Sequence, residues 1–103
     1  MDTVIAIEPC AQGWLIRLEG PIRTPVAARL LAVAKEAVLG PEVAVHGGAV
    51  ADIDTAALQV LVALSAALAR SQRRLRLVAA SPELLGALAL AAIEDRFVLE
   101  VTP

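Results

Sequence analysis

Fifteen consecutive residues, Thr55 to Ala69 (TAALQVLVALSAALA), carry no charge, bounded by Asp54 on one side and Arg70 on the other. A membrane-spanning helix needs about 20 predominantly apolar residues, and this run is shorter and is interrupted by Gln59 and Ser65. It predicts a helix buried inside a small fold, with no membrane insertion. The helix is apolar nearly all the way round. With Leu58, Leu61, Val62 and Leu68 turned to a sheet, Val60, Leu64 and Ala67 come round towards the far side. Such a helix is expected to be covered on a second side, and a protein partner would serve. Thr55, Leu58, Gln59 and Val62 are then expected at the edge of the docking surface.

The rest of the chain narrows the class. With 103 residues, 58% hydrophobic and 2% aromatic, it predicts a single domain over residues 1–103 whose core needs no staple. Cys10 is the only cysteine, which excludes a disulfide framework and a cysteine zinc cage and fits a reducing compartment. A net charge of -2 offers no basic excess for phosphate backbones, so nucleic acid is not an expected partner. The start, Met1-Asp2-Thr3, has no basic segment ahead of an apolar one; a cytoplasmic protein without a secretory signal is expected. No nucleophile–base pair, glycine-rich phosphate loop or metal-ligand cluster is legible, which predicts a protein that is not an enzyme and holds no cofactor or metal.

Glycine and proline divide the chain into short elements. Thr3 to Glu8 and Trp14 to Glu19 read as a hairpin about Ala11-Gln12-Gly13, with Trp14, Ile16 and Leu18 alternating against Leu15, Arg17 and Glu19, closed by Gly20-Pro21. Thr24-Pro25 reads as an N-cap and first-turn proline, followed by Val26, Leu30, Val33, Ala34 and Ala37 at helical spacing up to Gly40-Pro41. Glu42 to His46 is a strand ended by Gly47-Gly48. The uncharged helix follows, and then a strand over Leu75 to Ala79 suited to a central place in the sheet. Ser81-Pro82-Glu83 opens a third helix with Leu84, Leu85, Leu88 and Ala92 as its core stripe, and Phe97 to Val101 is a last strand or an extended tail. Strands alternating with helices predict an α/β fold whose mixed sheet contains parallel members.

Within this order, Val43 to Leu64 (VAVHGGAVADIDTAALQVLVAL) resembles the signature of the STAS family, the sulfate-transporter and anti-sigma-factor-antagonist domain. Asp54-Thr55-Ala56-Ala57-Leu58 stands where the family has an Asp-Ser-Ser-Gly-Leu-like helix start. Leu18-Glu19-Gly20 matches the strand end before the first helix, and Arg74 to Ala80 followed by Ser81-Pro82 matches the penultimate strand and the helix after it. The resemblance implies a mixed sheet of about four to five strands with helices mainly on one face. It also implies a non-enzymatic module that switches protein partners through phosphorylation of a hydroxyl, by position Thr55. The partner implied is an anti-sigma factor or kinase-like protein. Two departures stand out: Ala57 replaces the family's glycine, and Arg23 replaces an acidic residue after the second strand. A threonine at this place is also similar to the STAS subunit of bacterial lipid-transport ABC complexes, whose partner is an ATPase, and to chemotaxis-linked STAS proteins. A monomer or weak homodimer is expected.

The remaining polar residues have plain readings. Asp54 caps the uncharged helix and Asp52 is solvated; together with Arg23 they are expected to flank the partner site. His46 reads as a hydrogen-bonded strand-end histidine and Cys10 as a small hydrophobe at a loop edge. Arg70, Arg73, Arg74 and Arg76 form the only dense charge run. They read as solvated cations at a helix C-terminus, with an anionic partner or a lipid surface as the other possibility.

Overall fold

A computed structural model describes residues 2–100. The elements are β1 (Val4–Cys10), β2 (Gly13–Ile22), α1 (Thr24–Ala37), β3 (Val43–Ile53), α2 (Thr55–Ala69), β4 (Arg76–Val78), α3 (Pro82–Leu90) and β5 (Val98–Glu100), with a 3-10 turn at Glu94–Arg96. Val101, read from the sequence as part of the last strand, lies outside the described residues. The five strands lie side by side in chain order. β1 and β2 form an antiparallel hairpin, and every later pairing is parallel. A parallel neighbour must be reached by a crossover, and each crossover here contains one of the uncharged or amphipathic helices. The fold class and strand sequence expected from the alternation are both present.

One face of the sheet carries the core. In β2 the inward residues Ile16, Leu18 and Ile22 are fully buried. Between them Arg17 emerges on the opposite face and pairs with Glu8 at 2.7 Å and Glu19 at 3.3 Å. Val45 and Leu77 from the sheet join Leu30 of α1, Leu61 of α2 and Leu84 of α3 in one apolar cluster. Since all three helices contribute to this cluster, they cover the same face, and β1 to β5 leave the other face to side chains such as Arg17 and His46.

Several boundaries differ from the sequence reading. Gly20-Pro21 does not close β2, which runs on to Ile22, and Gly47-Gly48 does not end β3, which continues to Ile53. The pairing slips by one residue between Arg17 and Glu19, so the glycine pair sits in an irregular stretch inside the strand. Gly47 favours a close approach: a Cβ there would lie 2.5 Å from the Leu84 Cδ2 atom, so a side chain would make Leu84 of α3 shift. β3 is the middle strand of the sheet, and β4 lies beside it, one place from the β5 edge.

The helices show where periodicity misled. Leu64, read as belonging to the far side of α2, is only 3% exposed. The second side of α2 is covered by α1, and Val60 and Ala67 border the shallow apolar groove where the two helices meet. The all-round apolarity of α2 is thus largely absorbed inside the chain. In α3 only Leu84 and Leu88 are buried; Leu85 is exposed, and Ala92, expected on the same stripe, lies beyond the helix end and is exposed. A nine-residue helix resting on one strand offers a narrow stripe, two residues one turn apart. Its start is as expected: the Ser81 hydroxyl accepts from the Leu84 N–H at 3.1 Å and donates to the Val50 carbonyl at 2.7 Å.

Candidate functional site

The site expected from the sequence lies where the loops before α1 and α2 meet. Both helices start from the C-terminal ends of parallel neighbours, β2 and β3, so their N-termini are brought side by side. Asp54 joins them. Its Oδ1 accepts from the Ala57 N–H at 3.0 Å, the expected cap of α2, while its Oδ2 accepts from the Thr24 N–H at 2.5 Å and the Thr24 hydroxyl at 2.7 Å. One carboxylate thereby serves two helix starts. Thr24 is not the N-cap of α1, as its position before Pro25 suggested. Arg23 occupies that place without a capping side chain, and Thr24 is the first helical residue. Its hydroxyl is spent on the neighbouring loop, a pairing 30 residues distant that no local pattern could show.

Asp52 is engaged as well. The Arg23 Nε donates to its Oδ2 at 2.6 Å, and a second guanidinium nitrogen lies closer still. The pair bridges the same two loops from the outside. Both side chains are largely solvated, so its worth lies in orientation more than in stability. The Ala57 N–H and the Thr24 hydroxyl, both donating to it, hold the Asp54 carboxyl below the ordinary carboxylate range. A carboxyl whose folded-state pKa is depressed contributes stability above its unfolded value, near 3.9, and loses it as pH falls through the lower folded value. Asp54→Asn is therefore expected to melt at a lower temperature than the parent at neutral pH, with the difference closing only below about pH 4. Thermal melts from pH 2 to 7 check this; a gap independent of pH would overturn it.

Thr55 is the first residue of α2 and its side chain is exposed, as is Gln59 one turn on. Leu58 is 8% exposed and Val62 is half-buried, so these two are walls more than surface. Leu58, Thr55 and Asp54 line one side of an open groove of about 410 Å³, and Ala87, Leu90 and Ala91 at the end of α3 line the other. Leu90 is 92% exposed. The α3 side was missed in the sequence, although Leu90 falls off the Leu84–Leu88 stripe, and an apolar side chain off its own stripe is the available signal. Of the other residues singled out, His46 is half-buried on the uncovered sheet face and Cys10 is exposed at the end of β1. Neither approaches this groove. Among the described residues no cluster of three side chains suited to a metal ion is present, and no helix is long and apolar enough to cross a membrane.

A family profile described as "Mlab, STAS domain" matches residues 11–100. The chain belongs to the STAS family. No curated protein sequence gives a significant match. Solved structures extend the likeness to the fold. A STAS anti-sigma-factor antagonist domain protein from Planctomyces limnophilus is 18% identical with a TM-score of 0.84, covering 96% of this chain and 91% of its own. An anti-sigma factor antagonist from Mycobacterium paratuberculosis is 19% identical with a TM-score of 0.84, over 96% and 86% of the two chains. The anti-sigma factor antagonist SpoIIAA in its unphosphorylated form is 13% identical with a TM-score of 0.82, over 97% and 89%. The five-stranded mixed sheet with three helices is thus the architecture of this STAS domain and of those antagonists. The motif carrying the resemblance, Asp54 to Leu58, is the segment that the double cap holds in place.

Proposed function

We propose that this STAS chain is a non-enzymatic, cytoplasmic docking module of the anti-sigma factor antagonist type, whose partner is bound at the groove between the start of α2 and the end of α3 and released by phosphorylation of Thr55. The observation that carries the reading is the placement of an exposed hydroxyl beside an exposed leucine across one groove. Thr55 stands at the rim, and Leu90 supplies an apolar anchor that the fold itself does not use. Asp52, Asp54, Leu58, Gln59, Val62 and Arg23 form the surround. A phosphate on Thr55 adds about 1.5 to 2 negative charges beside Asp52 and Asp54. Repulsion from Asp54, which has no cationic partner among the described residues, would disturb the loop pair that its carboxylate holds, and the docking rim with it. The solved relatives with this fold support the type of function, one of them being an antagonist studied in its unphosphorylated form.

A second reading has its own observation. Arg23, where the family often has an acid, is bound to Asp52, so the loop beside Thr55 carries a neutralised pair. A regulatory subunit of a lipid-transport ABC ATPase, or a chemotaxis-linked signalling protein, would use Thr55 as a contact without modifying it. The test captures partners from the native cell with the parent, Thr55→Ala, Thr55→Glu and Leu90→Asp, and follows phosphate on Thr55 by mass spectrometry. A kinase-like protein is expected with the parent and Thr55→Ala, weakened roughly tenfold or more by Thr55→Glu and Leu90→Asp, at unchanged melting temperature. An ATPase retained by Thr55→Glu supports the second reading. Partners indifferent to Leu90→Asp overturn the groove for both.

A further inference from the structure

The far end of α2, about 22 Å from Thr55 at 1.5 Å per residue, carries a second groove of about 410 Å³. Ala66 and Ala69 form an apolar floor, and Arg73, Arg74 and Arg96 stand round it, with Arg70 adjoining. Asp95 is the one acid in the lining. Among the described residues none of these four arginines forms an ion pair. In a chain of net charge -2, four uncompensated guanidinium groups gathered at one end call for an explanation.

A solvated helix cap would leave these arginines loose, but two of them are held. Arg73 donates from Nε to the Ser71 hydroxyl at 3.0 Å, from Nη2 to the Val38 carbonyl at 3.1 Å and from Nη1 to the Gly40 carbonyl. Arg74 donates from Nη2 to the Asp95 carbonyl at 2.9 Å and the Phe97 carbonyl at 3.4 Å, leaving its Nε and Nη1 unengaged. The groove walls are also tied together. The buried Ser65 hydroxyl donates to the Arg96 carbonyl at 2.5 Å, joining α2 to the 3-10 turn. The last carbonyls of α2 are taken up by the Gln72 and Arg73 N–H groups, through a left-handed turn at Gln72. The negative end of that helix is therefore capped by the backbone and does not require the arginines.

We infer that this groove is a binding site for a small phosphorylated molecule, its phosphate held by the Arg74 and Arg96 guanidinium groups with the Arg73 charge beside them, and its carbon part lying on Ala66 and Ala69. Planar guanidinium forks present paired N–H donors that match phosphate oxygens, and all the cations here are arginine. The Arg74 head, already fixed on two carbonyls through Nη2, has lost part of its rotamer freedom before the ligand arrives, which favours affinity. The site is separate from the Thr55 groove, and neither reading rests on the other.

Inorganic phosphate and pyrophosphate titrated into the 15N-labelled full chain test it, at low salt and at about 0.15 M. Pyrophosphate is expected to shift the amides of Ala66, Ala69, Arg73, Arg74 and Arg96 together and saturably. Arg96→Gln, a surface change with no side-chain bond to lose, is expected to weaken the interaction roughly tenfold or more. Arg17→Gln, on the uncovered sheet face, leaves it unchanged. No saturable shift, or equal affinity in all three proteins, overturns the site. So does a glutamate-rich peptide that moves these amides when pyrophosphate does not, since it would make the patch a protein-docking surface.

Discussion

Replacing Gly20 by alanine is expected to destabilise the protein by about 3 kcal/mol or more, lowering the melting temperature of a domain this size by some 15 °C. Gly20 has φ of +79°, where an L side chain is costlier by about 1 to 2 kcal/mol. The larger part is contact. A Cβ at this position would lie 2.4 Å from the Asp2 carbonyl oxygen and 3.3 Å from the Thr3 Cα, backbone atoms that cannot turn aside. The start of β1 would have to move, and with it the Thr3 hydroxyl bond to the Pro21 carbonyl at 2.6 Å. Pro21 and Ile22 lead directly into Arg23 and Thr24, so the strain reaches the loop pair beside Thr55. Gly86→Ala is the control. It meets nothing within 4 Å on an exposed helix face, and stabilisation by about 0.5 to 1 kcal/mol is expected from helix propensity. Thermal melts of the two variants decide it; a Gly20→Ala protein melting within a degree or two of the parent would show that β1 yields freely.

Leu61→Ala is expected to cost about 2 to 5 kcal/mol, since its fully buried side chain stands at the centre of α2 within the shared core cluster. The lost transfer energy and the cavity both count, because the helix is held on one side by the sheet and on the other by α1 and cannot settle inwards. Leu90→Ala makes the contrast: the same deletion at a side chain 92% exposed is expected to change stability by less than about 0.5 kcal/mol. Denaturant melts of the pair separate the core from the exposed groove wall on chemically identical substitutions. A Leu61→Ala cost below about 1 kcal/mol would contradict the packing described here.

Much of the fold was legible because it rests on local chemistry. Alternation in Trp14 to Glu19, the hydroxyl and proline at Ser81-Pro82, and the carboxylate before Thr55 each act within a few residues, so a short window suffices to read them. The errors share one cause. Thr24 looked like the cap of its own helix but its hydroxyl goes to Asp54, 30 residues on. Leu64 looked like a partner-facing residue but is covered by the chain itself, because α1 packs along α2. The Gly47-Gly48 pair looked like a strand end but lies inside β3, where Gly47 faces Leu84 and Gly48 faces the Ala79 carbonyl. In each case the residue's local preference was satisfied or overridden by a neighbour distant in sequence.

The sequence by itself determined the α/β class, the order of strands and helices, the STAS motif and the place of Thr55 at the head of α2, since periodicity, capping and turn chemistry are short-range. Only the tertiary structure decided that one Asp54 carboxylate secures both helix starts, that Leu90 of α3 faces Thr55 across a groove, and that Arg73, Arg74 and Arg96 share a groove with Ala66 and Ala69. Those are meetings between separate elements, fixed by parallel strand pairing and by the packing of three helices on one face of the sheet, and no property of a single segment encodes them.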